Sequence, residues 1–330
     1  MTMGWKWRCS MVLLAACLAA CTGSGIRLQK PEGEWSWPAE NPHLRLESVL
    51  DLETRTARRP SPWGSAASTG PNAGRFARPH GITWVGDDLV ITDPEAGRVY
   101  RITPDGGLQG SSPGLFQSPV GVAVCPSGLA VSDPPAGRLA LLDDQLRLIR
   151  WLAEDLERPT GVACTDNEIW VVETGAHRLR VLSPGGMSRQ FGTRGSGPDE
   201  FNFPTAVALA GEHALVGDTL NFRVQRLERS TGRNVSSFGQ LGDNPGQTPR
   251  IKDVAVDAAG HIWVTDAHLD TVSLFTMDGT LLLSLGGRGQ GPAEFSFPAG
   301  LAAHEDGRVA VVDAFNRRIQ IFRILDAGNG

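Results

Sequence analysis

Cysteine is scarce in this chain of 330 residues: there are five, and only Cys125 and Cys164 lie beyond residue 21. One pair in so long a chain is no disulfide framework, and without a Cys-x-x-Cys-His run covalently attached haem is not expected. The two cysteines close short apolar runs, one residue out of phase with each other. Two buried free thiols are therefore expected, with a bridge as the alternative that their Cα separation would decide. A basic excess is missing too. Against 36 Asp and Glu stand 31 Lys and Arg, a formal charge of −5, so there is no electrostatic footprint for nucleic acid. Long apolar runs are absent as well. Residues 11–20, MVLLAACLAA, fall short of the roughly 20 residues that a membrane-spanning helix needs. Helical periodicity is almost nowhere to be found, nor is a strand-to-helix nucleophile elbow or a Ser-His-Asp arrangement.

What is present begins with an export signal. Lys6 and Arg8 precede the apolar run with no acid among them, and the run ends Leu18-Ala19-Ala20-Cys21. This ending resembles the lipobox of bacterial lipoproteins, in which the cysteine is acylated and becomes the first mature residue. The resemblance implies a signal peptide at 1–20 and lipidation of Cys21. Thr22, rather than an aspartate, then implies sorting to the outer membrane, on the periplasmic or the cell-surface side. Cleavage would remove Lys6 and Arg8, leaving 29 basic against 36 acidic side chains, a formal charge of −7. Residues 21–42 carry GSG, PEGEWSWPAENP and no periodic pattern, and read as a lipidated tether.

From residue 75 the chain repeats itself. FNFPTAVALAGEHALVGDTLNFRVQRL (201–227) and FSFPAGLAAHEDGRVAVVDAFNRRIQIF (295–322) are the clearest copies, and four more begin near 76, 116, 157 and 249. Each opens with a Pro-x-Gly-type step into an apolar run. A turn follows, then a strand ending in an acid, a four-residue turn and a further strand. The acids are Asp93, Asp133, Glu173, Asp218, Asp266 and Asp313, at intervals of 40, 40, 45, 48 and 47 residues. Units of that size holding four strands are propeller blades. The expected fold is all-β, a six-bladed β-propeller over 43–325, followed by a tail at 326–330. The sixth unit lacks its fourth strand, while HLRLESVLDLE (43–53) is an orphan strand before the first unit. That strand is expected to pair with the last blade and close the ring.

The glycine-rich stretch GGRGQGPAEFSFP (286–298) approaches a phosphate-cradle spacing, but such a cradle needs a helix N-terminus behind it. The stretch matches GTRGSGPDEFNFP (192–204) at nine of thirteen positions, two units earlier. It therefore reads as a joint between blades. GDTLNFRVQRL and VDAFNRRIQIF resemble the hallmark of NHL repeats, and the dipeptides that mark WD40 blades are absent from their expected positions.

Acid-x4-Arg recurs in five units, as in Asp218 and Arg223, with Thr271 in the arginine's place in the fifth. A pattern common to nearly all blades points to hairpin architecture. Trp170 and Trp263 occupy equivalent strand positions and read as blade packing. The functional candidates are the x positions of Pro-x-Gly, where each inner strand enters the channel: His80, Val120, Thr160, Thr205, Lys252 and Ala299. His80, Thr160, Thr205, Lys252 and Asp253 are taken as the candidate ligand-binding set, with water-facing side chains as the plainer reading of His80 and Lys252.

The resemblance offers two enzymatic precedents. The peptidyl-hydroxyglycine lyase of the peptide-amidating enzyme is similar in repeat pattern and holds zinc with three histidines, some in Pro-His motifs. Here Pro79-His80-Gly81 stands alone, and one ligand is not a site. Six-bladed lactonases bring a Glu, an Asn and an Asp to one calcium, and the inner-strand openings here offer only Asp253. No metal, cofactor or catalytic residue is therefore expected. The expected function is a non-catalytic binding platform in the cell envelope, lipid-anchored and monomeric. A metal-dependent lyase or lactonase-like enzyme at the channel is the alternative. The resemblance also implies an envelope protein partner, such as a multihaem cytochrome or other membrane complex. The channel face and the WSW segment at 35–37 are the two candidate surfaces.

Overall fold

The computed structural model describes residues 26–31, 33–38, 43–52, 76–183 and 186–325. The expected signal peptide at 1–20, Cys21 and the tail at 326–330 lie outside the described residues. Inside them the alternating runs form antiparallel four-stranded sheets, six in all, arranged as the blades of a propeller. Blade 1 runs Ile82–Val85, Asp88–Asp93, Arg98–Ile102 and Leu108–Gly110 from inside out. Blades 2 to 5 repeat that order, their inner strands being Val122–Cys125, Pro159–Cys164, Ala206–Ala210 and Ile251–Val256. Blade 6 has Pro298–Ala303, Arg308–Asp313 and Arg318–Ile324, and takes its fourth strand, Leu44–Asp51, from the other end of the chain. The pairing runs from Arg318 opposite Asp51 to Ile324 opposite Leu44. Each inner strand packs against the next around the ring, and blade 6 returns to blade 1.

The burial pattern follows from this geometry. A blade shows its two faces only to its neighbours, so the apolar clusters lie at junctions rather than in one central core. Trp170 and Phe201 share the blade 3–4 junction with Val207 and Val216, and Trp263 and Phe295 share the blade 5–6 junction with Leu301 and Val311. Both tryptophans are buried and donate their indole N–H groups to Glu168 and Asp257. The joints behave alike. Thr193–Arg194 lies parallel to Glu200–Phe201, and Arg288 bridges to Phe295. Glu200 and Glu294 accept the N–H groups of Gly197 and Gly291, each at 2.8 Å. Gly192 has a positive φ of 89°, and a Cβ there would lie 2.3 Å from the Phe201 ring.

The six repeated acids pin each incoming connection to a hairpin turn. Asp93 accepts the backbone N–H groups of Ala77, Arg78 and Ala96 at 2.6 to 3.0 Å. Asp133 does the same for Gln117 and Ser118, and Asp266 for Arg250, His268 and Leu269. The arginine follows only in blades 3, 4 and 6, where Arg178, Arg223 and Arg318 reach their acids at 2.8 to 2.9 Å. Arg98 donates instead to the Ser111 carbonyl, and Arg138 pairs with Glu154.

Two expectations are corrected. Cys125 and Cys164 are joined by a disulfide, with Cα atoms 5.2 Å apart, inside the window that a bridge requires. The two residues end adjacent inner strands, Val122–Cys125 and Pro159–Cys164, so the offset of one place still leaves them side by side. The segment expected to be an unpatterned tether also joins the sheet. Arg27–Gln29 and Ser36–Trp37 both pair with Leu44–Asp51. Ile26 is buried with Leu50 and Tyr100, and Trp37 packs edge-on against Phe322.

Candidate functional site

The inner strands enclose a central cavity of about 390 Å³. Its wall is mostly valine, alanine, leucine and glycine, and the ionisable side chains lining it are His80, Lys252 and Asp253. The strands are held at this distance by hydrogen bonds from each blade to the next. Thr92 donates its hydroxyl to the Val120 carbonyl at 2.7 Å, Ser132 to Thr160 at 2.6 Å and Thr265 to Ala299 at 2.6 Å. Each of these hydroxyls also accepts an N–H from its own inner strand, at Gly81, Gly121 and Asp253 respectively. In blade 3 the relay is Thr160, whose hydroxyl meets Thr174 and donates to the Thr205 carbonyl at 2.9 Å. In blade 4 the Thr205 hydroxyl meets Thr219, which donates to Ile251 at 3.2 Å. Blade 6 closes the series through backbone alone, Gly300 N–H to the His80 carbonyl at 2.8 Å.

This ring explains the Pro-x-Gly step. A Cβ on Gly121 would lie 2.1 Å from the Thr160 carbonyl oxygen, and one on Gly81 2.2 Å from that of Val120. Glycine is there because the neighbouring backbone is. In blade 5 Asp253 stands in that column, and its carboxylate accepts the N–H groups of Val254 and of Leu301 in blade 6.

The candidate residues thus separate. The Thr160 and Thr205 hydroxyls are engaged in joining blades, and one Asp253 oxygen joins blade 5 to blade 6 while the other accepts the Val254 amide of its own strand. His80 and Lys252 do not simply face water. Burial, with repulsion from Lys252 and Arg78, lowers His80 to a pKa of about 3 and keeps its imidazole neutral. Burial, then repulsion from Arg250, lowers Lys252 to about 8, against the opposing pull of Asp253. Burial raises Asp253 to about 7, against its two amide donors and Lys252.

One position before Pro-x-Gly lies a column that the motif search passed over: Arg78, Ser118, Arg158, Phe203, Arg250 and Phe297. Arginines therefore stand at the mouth of blades 1, 3 and 5, all three exposed. Phe297 stacks on Phe315 with centroids 4.7 Å apart, and Phe315 is 55% exposed. Arg250 lies 5.9 Å and Lys252 5.3 Å from the Phe297 centroid, and Arg78 lies 5.6 Å from that of Phe315. A reading of the repeat one column earlier would have found this rim.

The donor set does not fit the metals of the enzymatic precedents. Among the described residues no three His, Cys, Asp or Glu side chains gather as a ligand group. Asp253 is the single carboxylate lining the cavity, its oxygens are taken by amides, and the Lys252 ammonium beside it would oppose a cation. Ser112, central in a Gly-x-Ser-x-Gly spelling at 110–114, sits exposed in the connection to blade 2 with no helix behind it.

No protein-family profile matches the chain. Among curated proteins it is similar to the E3 ubiquitin-protein ligase TRIM32 of Homo sapiens, 28% identical over 154 residues, or 43% of this chain and 22% of that one. The Mus musculus protein matches at 29% over the same length. The chain thus spans about a fifth of the curated relatives it matches, and the similarity supports an NHL type of repeat. Of solved structures, a gluconolactonase from Xanthomonas campestris superposes with a TM-score of 0.63 at 15% identity, over 91% of this chain and 98% of its own. A luciferin-regenerating enzyme gives 0.58 at 12%, over 77% and 92%. A streptogramin B lyase gives 0.56 at 14%, over 76% and 94%. At such identities the likeness is one of fold.

Proposed function

We propose that this chain is a lipid-anchored, exported propeller serving as a non-catalytic binding platform at the cell envelope, with the channel mouth as its binding surface. One observation carries the reading. The polar groups deep in the channel are spent on holding blades together, while the groups turned to the opening are cations and aromatic rings. The Asp253 carboxylate is committed to amides, and the Thr160 and Thr205 hydroxyls to the joins between blades, which supports the non-catalytic reading. Guanidinium groups and phenyl faces, by contrast, are the parts from which recognition surfaces are made. The lipid on Cys21 and the outer-membrane address belong to the same proposal and rest on the Leu-Ala-Ala-Cys ending. The proposed partners are envelope complexes, multihaem cytochrome assemblies among them.

The test is in-cell crosslinking at native expression, read by mass spectrometry, with metabolic labelling of the lipid in parallel. A dominant envelope protein and a labelled chain that loses its lipid on Cys21→Ser are expected. Recovery of no partner, or a stoichiometric metal lost on His80→Ala, would sink the platform reading.

A further inference from the structure

We infer that the channel mouth recognises carboxylates, and that its occupant is an acidic segment of a partner protein. The inference rests on the platform reading and adds the chemistry of the partner.

The rim is cationic in a chain whose net charge is −5. Arg158 and Arg250 make no ion pair among the described residues, and Arg78 has only Glu95 at 3.5 Å, both side chains being more than half exposed. A pair of that kind contributes little. Lys252 is likewise without an ion pair among the described residues, although Asp253 is its neighbour in sequence, because the Asp253 oxygens turn to the Val254 and Leu301 amides. Arg78, Arg250 and Lys252 instead lie near the Phe297–Phe315 stack. An aromatic face holds a cation without neutralising it. The fold therefore keeps four positive groups around one opening, and among the described residues the single ion pair they make is the exposed one between Arg78 and Glu95. An anion arriving there relieves their mutual repulsion and replaces water on groups already in place.

The arrangement favours several carboxylates along a chain over one compact anion. The arginines stand on alternate blades around the opening and do not converge on a point, while Lys252 lies further in, on the cavity wall. One carboxylate can enter toward Lys252 while others meet Arg78, Arg158 and Arg250 in the bidentate geometry that guanidinium groups provide. Phe315 offers an exposed ring to an apolar side chain between them.

The experiment uses the full chain in mild detergent and fluorescein-labelled hexaglutamate, read by anisotropy, with hexalysine, citrate and inorganic phosphate as comparison ligands. Hexaglutamate should bind, and binding should weaken with added salt. The triple variant Arg78→Gln, Arg158→Gln, Arg250→Gln should bind at least tenfold more weakly, Lys252→Met several-fold more weakly, and Arg147→Gln, in an outer turn of blade 2, unchanged. The melting temperature of each variant confirms that it is folded. Hexaglutamate binding that the triple variant leaves intact, or citrate or phosphate binding without hexaglutamate binding, overturns the inference. If hexaglutamate is ignored while crosslinking still returns an envelope partner, the acidic-segment inference fails and the platform reading stands. If hexaglutamate binds at the rim while no partner is recovered, the carboxylate site stands and the platform reading falls.

Discussion

Gly300 donates its backbone N–H to the carbonyl of His80 at 2.8 Å, and this bond closes between blades 6 and 1 a ring that threonine and serine hydroxyls carry through the other five junctions. Blade 6 has Val312 and Ala314 in the two columns where other blades place the relaying hydroxyl. Its Gly300 amide crosses the junction directly, whereas the Gly81 and Gly121 amides donate to a hydroxyl of their own blade. The ring is a chain of local solutions to one problem, the spacing of adjacent inner strands.

Ser132→Ala should therefore be destabilising by about 1–3 kcal/mol, because it strands the buried Thr160 carbonyl and the Gly121 amide together. Gly121→Ala should cost more, since its Cβ is aimed at backbone that has no room to yield. Urea denaturation measures both. Wild-type stability in Gly121→Ala would show that the strands do not approach as described.

Two channel residues should tilt the pH profile of stability in opposite directions. His80 has a lowered pKa, so its contribution is present above the unfolded value of 6.5 and is lost as pH falls toward 3. At pH 5 that loss is about 2 kcal/mol. Asp253 has a raised pKa, so its contribution is present below the unfolded value of 3.8 and is lost as pH rises through 7. Between pH 8 and pH 5, His80→Gln should gain stability relative to wild type on acidification, and Asp253→Asn should lose it. Thermal melts across that range decide, and parallel profiles for all three proteins would refute the assignment.

The Cys125–Cys164 bridge joins the inner strands of blades 2 and 3 across 39 residues of sequence. Its removal in Cys125→Ala, Cys164→Ala should lower stability by about 2–4 kcal/mol. In the native protein neither thiol should take up iodoacetamide unless a reductant is added. Labelling without reductant would return these residues to the free thiols that the sequence suggests.

Deleting residues 26–52 removes the closing strand and leaves Arg318–Ile324 with an open edge. Unpaired edges recruit other chains. Larger species should appear in size-exclusion chromatography, with soluble yield falling. An unchanged monomeric peak would mean that the ring closes some other way.

The features that recur were legible in the sequence. Asp93, Asp133 and their counterparts mark the blades because each must pin the same turn, and the twin joints at 192 and 286 carry the same glycines because each must pass a phenylalanine ring. What occurs once was harder to read. The disulfide joins residues one place out of phase at the ends of neighbouring inner strands, a pairing that no spacing announces. The strands at Arg27–Gln29 and Ser36–Trp37 are too short to show alternation, and they form only because Leu44–Asp51 offers them an edge. Thr160 and Thr205 looked like channel ligands because their column faces the channel. Their true signal was the companion threonine one place after the acid, Thr174 and Thr219.

Ile26 and the strand after it have a mechanical consequence. If Cys21 carries the lipid, four residues separate the anchor from Ile26, a reach of about 17 Å at full extension. That leash would hold the flank where blades 6 and 1 meet close to the bilayer and restrict how far the ring can tumble. Arg27–Gln29 also pairs directly with Leu44–Asp51. Any pull between membrane and propeller would run through Arg27–Gln29 into the strand that closes the ring, so the tether and the clasp share a single load path.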